Sequence, residues 1–498
     1  MVEQTHVAAS PRSRLPHRRT RFATQEGDAP IYLQLATLLE RMIKQRALRP
    51  GDRMPSVRQL SAQQRVSVPT ALQAYATLET RGLVEARPKS GFFVRVHRAE
   101  LPPPRGPSGK FKITDFSHTD PFASLLADFG ASDLVPLGGA VPGGELLPGA
   151  KLARTMASIA RTSRSAGNTY DMPPGSENLR REIARRSLTW GGALKTDDVL
   201  VTIGGTEALS LALRATCSPG DTVAVESPTY FGLARMLREM RLKALPIPVD
   251  SAHGMDLDHL RAALRRTRVA ACVSNPNFQN PVGFLMPDER KRELVALLAE
   301  RDIPLIEDDA YGDLQHEGVR PPCLKAFDTD ERVILCGSFS KVLAPGYRIG
   351  YVAGGRWHSR IVTLKHVTTL GCPTLPTLAI AEFLRNGGYE RYLRSVRQAY
   401  RHQVERMRLA VAETFPAGTG LSQPRGSFLL WCELPPNVDS LALANEARRA
   451  GISIAPGPLF SPENGFRNYI RLNAGYAWNE RIERAIGVLG HLVGRMSR

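Results

Sequence analysis

The sequence has no apolar run near the roughly 18 residues that a membrane span needs, and its start, MVEQTHVAASPRSRLPHRRTRF, contains no apolar signal core. No membrane partner is expected, and a cytoplasmic protein is. Cysteine is scarce: six in 498 residues, at Cys217, Cys272, Cys323, Cys336, Cys372 and Cys432, with no C-x-x-C pair and no neighbouring histidine cluster. That spacing argues against a disulfide framework and structural zinc, so reduced thiols and no metal site are expected. Acidic residues are also short, with 48 Asp+Glu against 66 Lys+Arg, a formal charge of +18. The shortage is uneven. Residues 1–98 hold seventeen basic and seven acidic side chains, so more than half of the excess lies in a fifth of the chain. Such asymmetry points to a polyanionic partner, nucleic acid being the commonest, with a merely soluble basic surface as the plain alternative. Residues 1–27 read as a disordered basic tail, the alternative being an organellar presequence. What remains is ordinary for a soluble globular protein: 42% hydrophobic, 23% charged, and long enough for about two to four units.

Residues 28–98 read as three helices and a hairpin. In APIYLQLATLLERMIKQRALRPG, Leu35, Leu38, Leu39, Met42 and Ile43 recur at helical spacing up to a stop at Pro50-Gly51. Ser56 is placed to cap a short second helix, and Ser67 a third that ends at Gly82. Two short helices joined tightly, followed by the alternating LVEAR and GFFVRV, describe a helix-turn-helix with a β wing tipped by Lys89. The anchors Gly51, Met54-Pro55-Ser56-x-Arg58, Val66-Ser67, Ala74-Tyr75, Leu78, Gly82-Leu83 and Ser90-Gly91 resemble the winged helix-turn-helix of the GntR family of bacterial repressors. The resemblance implies a double-stranded DNA operator as partner, faced by Arg58, Ser67, Thr70, Lys89, Ser90 and Gly91. One departure matters: Val68-Pro69 follows the Val-Ser pair where the family usually has arginine, so its base-reading residues cannot be carried across. Physically, Arg58 and Lys89 suit phosphate, and the start of the third helix suits bases.

The stretch HRAELPPPRGPSGKFKITD, residues 97–115, is rich in proline and glycine without apolar period, and residues 99–130 read as a linker. From residue 131 to 498 strand-like runs such as VLVTIGG, TVAVE, VAACVSN, IPLIEDD and RVILCGS alternate with helical ones. That order implies an α/β domain with a largely parallel sheet, whose ligands gather at the carboxyl ends of strands.

Several polar groups fall at those ends. GGTEAL puts Gly205 and Thr206 where a strand becomes a helix, a place for phosphate, although such a turn is by itself often only a turn. Tyr230 ends ESPTY, where a ring can stack or simply pack; Asn280 lies in NPNFQNPVG; Asp308 and Tyr311 lie three apart in IEDDAYG. A carboxylate at a buried strand end needs a cation or a protonated nitrogen. GSFSKVLAPGYRIG adds Ser338, Ser340, Lys341 and Arg348, so an isolated lysine stands among small and apolar residues. Together the set amounts to a pyridoxal phosphate site.

These motifs, over residues 165–475 or so, resemble the class I and II aminotransferases, fold type I of the pyridoxal phosphate enzymes. The resemblance implies a mostly parallel central sheet and a smaller C-terminal α/β subdomain. It makes Lys341 the residue that carries the cofactor covalently and Asp308 the partner of the pyridine nitrogen. Tyr311 and Asn280 would contact the ring oxygen, and Tyr230 would stack on the ring. Gly205, Thr206, Ser338, Arg348 and Ser340 would hold the phosphate, Tyr170 would reach the phosphate of a partner subunit, and Arg471 would bind a substrate carboxylate. A GntR-type head, a linker and an aminotransferase-like body together are similar to the MocR-type transcription regulators. That family implies a head-to-tail homodimer and a small amino compound or amino acid as effector. A working aminotransferase with a secondary head is the other reading.

Overall fold

The computed structural model describes residues 30–45, 47–48, 52–87, 91–95, 101–106, 128, 131, 133–163, 165, 167–463 and 465–498. The expected tail at 1–27, the wing-tip residues Lys89 and Ser90, and most of the expected linker lie outside the described residues. Two compact units are present, Met1–Arg98 and Ala99–Arg498.

In the first unit, α1 (Ile31–Lys44), α2 (Val57–Gln64) and α3 (Val68–Thr80) precede a hairpin of β1 (Val84–Arg87) and β2 (Gly91–Val94). α1 stops short of the expected Pro50-Gly51: the N–H groups of Ala47 and Leu48 both return to the Met42 carbonyl, turning the chain once Ile43 is buried. Ser56 caps α2 in a reciprocal box with Gln59, and Ser67 caps α3 through the Thr70 N–H at 3.2 Å. Leu35, Leu39 and Ile43 of α1 pack with Leu60 of α2 and with Ala71, Ala74 and Leu78 of α3. Each large side chain so buried is worth about 1.5–3 kcal/mol. Tyr75 is also buried here, its hydroxyl donating to the Pro55 carbonyl and its ring stacked 4.5 Å from Phe92, which ties the wing to α3.

The second unit begins earlier than the tether reading allows. Leu101 packs against a core cluster, the Leu421 N–H donates to the Pro102 carbonyl, and the Arg105 N–H to Glu433. Beyond it, β3 (Val135–Pro136) leads to an eight-stranded sheet of β4 (Val199–Thr202), β5 (Thr222–Ser227), β6 (Lys243–Asp250), β7 (Gly254–Met255), β8 (Ala271–Ser274), β9 (Leu305–Asp309), β10 (Val333–Ser338) and β11 (Gly350–Ala353). Its order is β4-β11-β10-β9-β8-β5-β6-β7, with β6, β5, β8, β9 and β10 parallel and β11 antiparallel to both neighbours. β4 and β8 are buried along their whole length because helices cover both faces, which is why they read as unbroken apolar runs. A smaller antiparallel sheet follows, ordered β12 (Gly420–Leu421), β13 (Leu429–Glu433), β16 (Tyr469–Asn473) and β15 (Ala455–Pro456), while β14 (Ile452–Ser453) pairs with β3.

Candidate functional site

The carboxyl ends of β4, β5, β8, β9 and β10 converge on one place, closed by β16 of the smaller sheet and by the segment after β3. Lys341 follows β10 and donates to the Ala140 carbonyl at 2.7 Å. Burial first, then the guanidinium groups of Arg471 and Arg348, push its ammonium down to about 8, against the pull of Asp308. Asp308 ends β9, and burial raises its carboxyl to about 6 although the Ala310 N–H donates to it at 3.2 Å. Tyr311 lies in the same turn, its phenol pushed up by burial and its ring edge-on to Phe428. Tyr230, half-buried after β5, is also raised, by burial and then by Asp308. Asn280 is held at its backbone by the Asn275 side chain, at 2.9 Å, and Asn275 also donates to the Asp308 carbonyl.

Arg471 on β16 is fully buried. It donates to the Asn280 side chain at 2.9 Å and to the Gly138 carbonyl, and it lies 4.9 Å from the Phe460 ring and 5.5 Å from Phe231. Its Nε is buried with no hydrogen-bond partner among the described residues. Burial lowers even this guanidinium, to about 10. An unmet buried N–H beside two aromatic rings is a ready place for an acceptor such as a carboxylate.

At the far side of the site the helix Gly204–Thr216 opens beneath β10. A Cβ at Gly204 would fall 2.6 Å from an Arg348 nitrogen, and one at Gly205 would fall 3.2 Å from the Ser338 Cβ. Arg348 donates to Ser340 at 3.1 Å, and the Ser340 N–H to Ser338 at the same distance. Thr206 is exposed in the first turn of that helix. Two glycines, a helix N-terminus, two hydroxyls and a guanidinium form a cradle that suits a phosphate. The residues present therefore fit pyridoxal phosphate: a phosphate cradle at one end, a lysine of lowered pKa, and a carboxylate placed for a ring nitrogen. Tyr170 is the exception, 80% exposed and outside this cluster. Sequence reasoning missed the carbonyls of Ala140 and Gly138, the bridging Asn275, and the rings of Phe231 and Phe460. Of these only Asn275, inside NPNFQNP, had a nearby signal.

A second buried cluster lies behind β9, where ligand atoms of Glu307, Asp309 and Cys323 come within 4.8 Å of one another. Its charge is already met, since Arg320 pairs with Asp309 and the Leu324 and Lys325 N–H groups donate to Glu307.

In the first unit Arg58, in the first turn of α2, and Arg65, in the turn between α2 and α3, are exposed and make no ion pair among the described residues. Ser67 and Thr70, expected to face DNA, lie at the start of α3 with their hydroxyls 2.7 Å apart. Gly91 opens the second wing strand at φ +97°, a conformation that favours glycine.

The family of bacterial regulatory proteins named gntR matches residues 31–94, and the aminotransferase class I and II family matches residues 142–489. An uncharacterized HTH-type transcriptional regulator, YjiR of Escherichia coli K12, is 37% identical over 93% of this chain and 99% of its own. Among solved structures, the α-aminoadipate aminotransferase LysN of Thermus thermophilus, complexed with N-(5'-phosphopyridoxyl)-L-leucine, is 28% identical. It has a TM-score of 0.71 over 76% of this chain and 95% of LysN. The kynurenine aminotransferase of Pyrococcus horikoshii, in complex with PMP, is likewise 28% identical, with a TM-score of 0.72 over 77% of this chain and 96% of that one. The chain thus belongs to the MocR-type family of regulators, in which a GntR-type head is fused to a class I and II aminotransferase domain.

Proposed function

We propose that the chain is a DNA-binding transcription regulator whose body holds pyridoxal phosphate and uses it to recognise a small amino compound. The observation that carries this reading is a single chain joining a helix-turn-helix with an exposed α3 face to a body in which Lys341, Asp308, Arg471 and a phosphate-sized cradle come together. When bound, pyridoxal phosphate supplies an aldehyde that captures amines and a ring that withdraws electrons. The chain's own groups fix that chemistry in place. Asp308 keeps the pyridine nitrogen protonated, Tyr311 and Asn280 meet the ring oxygen, and Tyr230 stacks on the ring. Gly205, Thr206, Ser338, Ser340 and Arg348 hold the phosphate. Lys341, with its lowered pKa, offers a free amine as pH rises through about 8. Arg471 receives an α-carboxylate on its unmet Nε, so an amino acid is the favoured effector. Two chains pair head to tail, with Tyr170 of one reaching the phosphate held by the other; its exposure leaves it free to do so. The DNA upstream of the protein's own gene is the first operator to test, with and without pyridoxal phosphate and a panel of amino acids. Binding that responds to the cofactor with an amino acid is expected, and DNA binding indifferent to both would defeat the sensing role.

A second reading, an active aminotransferase, is favoured by one observation: Lys341, Asp308 and Arg471 are all retained with shifted pKa values. Partial conversion of bound cofactor to its amine form by some amino acid is expected. A cofactor spectrum unchanged by every common amino acid would end that reading.

A further inference from the structure

We propose that α3 reads thymine methyl groups and an adenine edge, so that the operator half-site beneath it is rich in A·T pairs. The inference rests on the head being a duplex-DNA binder. The outward face of α3 is made of Val68, Pro69, Leu72, Gln73 and Ala76, and two large apolar side chains stand in solvent there, Val68 at 48% and Leu72 at 50% exposure. No lysine or arginine lies anywhere in the helix, and its one acidic residue, Glu79, accepts the Ala86 N–H of the wing. Ser67 is engaged as the helix cap, accepting the Thr70 N–H, and its hydroxyl is hydrogen-bonded to that of Thr70.

The major groove narrows the match. Guanine is read chiefly by arginine or lysine, which this face lacks; the thymine methyl is the apolar group of the groove; and a carboxamide such as Gln73 pairs with adenine through N6 and N7. Val68, Leu72 and Ala76 recur every four residues, about 6 Å apart along the helix. That step is close to two base pairs, at about 3.4 Å each. The exposed Arg65, in the turn that leads into this helix, and the exposed Arg58, at the start of α2, favour a phosphate backbone over an apolar protein partner as its occupant.

The test uses the full-length, cofactor-loaded protein. Duplexes selected from a randomised pool are remade with deoxyuridine in place of single thymines, which removes one methyl and leaves base pairing unchanged. At two or more positions the replacement is expected to weaken binding about fourfold, the worth of one buried methyl. In Leu72→Ala one of those positions should become insensitive, and in Val68→Ala another. Gln73→Ala should lose about tenfold of its preference for adenine at one position. Arg58→Ala should weaken all duplexes alike and lower the salt slope by about one. Because the three α3 side chains are exposed, unfolding midpoints should not move. Salt-dependent binding with a G·C half-site, or with no response to deoxyuridine, would overturn this inference alone. No salt-dependent binding to any duplex would overturn the DNA-binding reading with it.

Discussion

Lys341 shows how far one side chain is set by its surroundings. Buried beside Arg348 and Arg471, its ammonium loses its proton near pH 8 rather than above 10. Below that pH the amine is protonated and cannot attack an aldehyde, so cofactor uptake should accelerate as pH rises through about 8 and then level. Stopped-flow absorbance at a series of pH values reads this midpoint. Arg471→Gln should move it upward, because one of the charges that oppose protonation is gone. Lys341→Ala should lose the absorbance near the visible edge while keeping its far-ultraviolet circular dichroism; a retained band would show that another amine carries the cofactor. Lys341, Asp308 and Arg471 could be picked out in the sequence because they stand in motifs that resemble those of the aminotransferases. The carbonyls of Ala140 and Gly138 were not, since every residue has a carbonyl and only the fold decides which two reach the site. Ser67 was legible as a cap, but its hydroxyl's hydrogen bond to Thr70 appears only with the backbone in place.

At the scale of elements, a few buried ions join parts of the body that are remote in sequence. Asp313, in the turn after β9, accepts from Tyr389 at 2.6 Å and from Arg320 at 2.6 Å, and it lies 3.2 Å from Arg186, so three separate segments meet on one carboxylate. Burial opposes its charge, yet Arg186 and Arg320 hold it far below the usual carboxylate range. A carboxyl with a depressed folded pKa stabilises fully above the unfolded value, about 4, and loses that contribution as pH falls toward the folded one. Asp313→Asn should therefore cost about 3 kcal/mol near neutrality, and the gap to wild type in urea midpoint should narrow toward pH 3. An equal gap at both pH values would show that packing, not charge, is what the substitution removes. The parallel sheet itself was legible, because unbroken apolar strands alternated with helical runs. The early end of α1 was not: Pro50-Gly51 is a strong stop signal, but the chain had already turned at Met42.

At the scale of the whole molecule, the two units divide at Arg98, whereas the proline-rich stretch that reads as a tether is partly built into the body. Leu101 joins a core cluster, and Pro102 and Arg105 make backbone hydrogen bonds to β12, β13 and the Tyr469 hydroxyl. Composition could not reveal this, since three prolines after a basic head look the same in a loose linker and in a fitted edge. A body starting at Ala99 should keep its cofactor and its thermal midpoint; one starting at Pro107 should lose about 1–3 kcal/mol with Leu101 and those bonds. The larger difference between the two should be in solubility. β12 is the last strand of its sheet, and a bare strand edge invites another chain to add on. Residues 102–104 cover it with prolines, which have no N–H to offer a newcomer. Removing them turns a finished border into a growing one, and the shorter body should precipitate where the longer one stays clear.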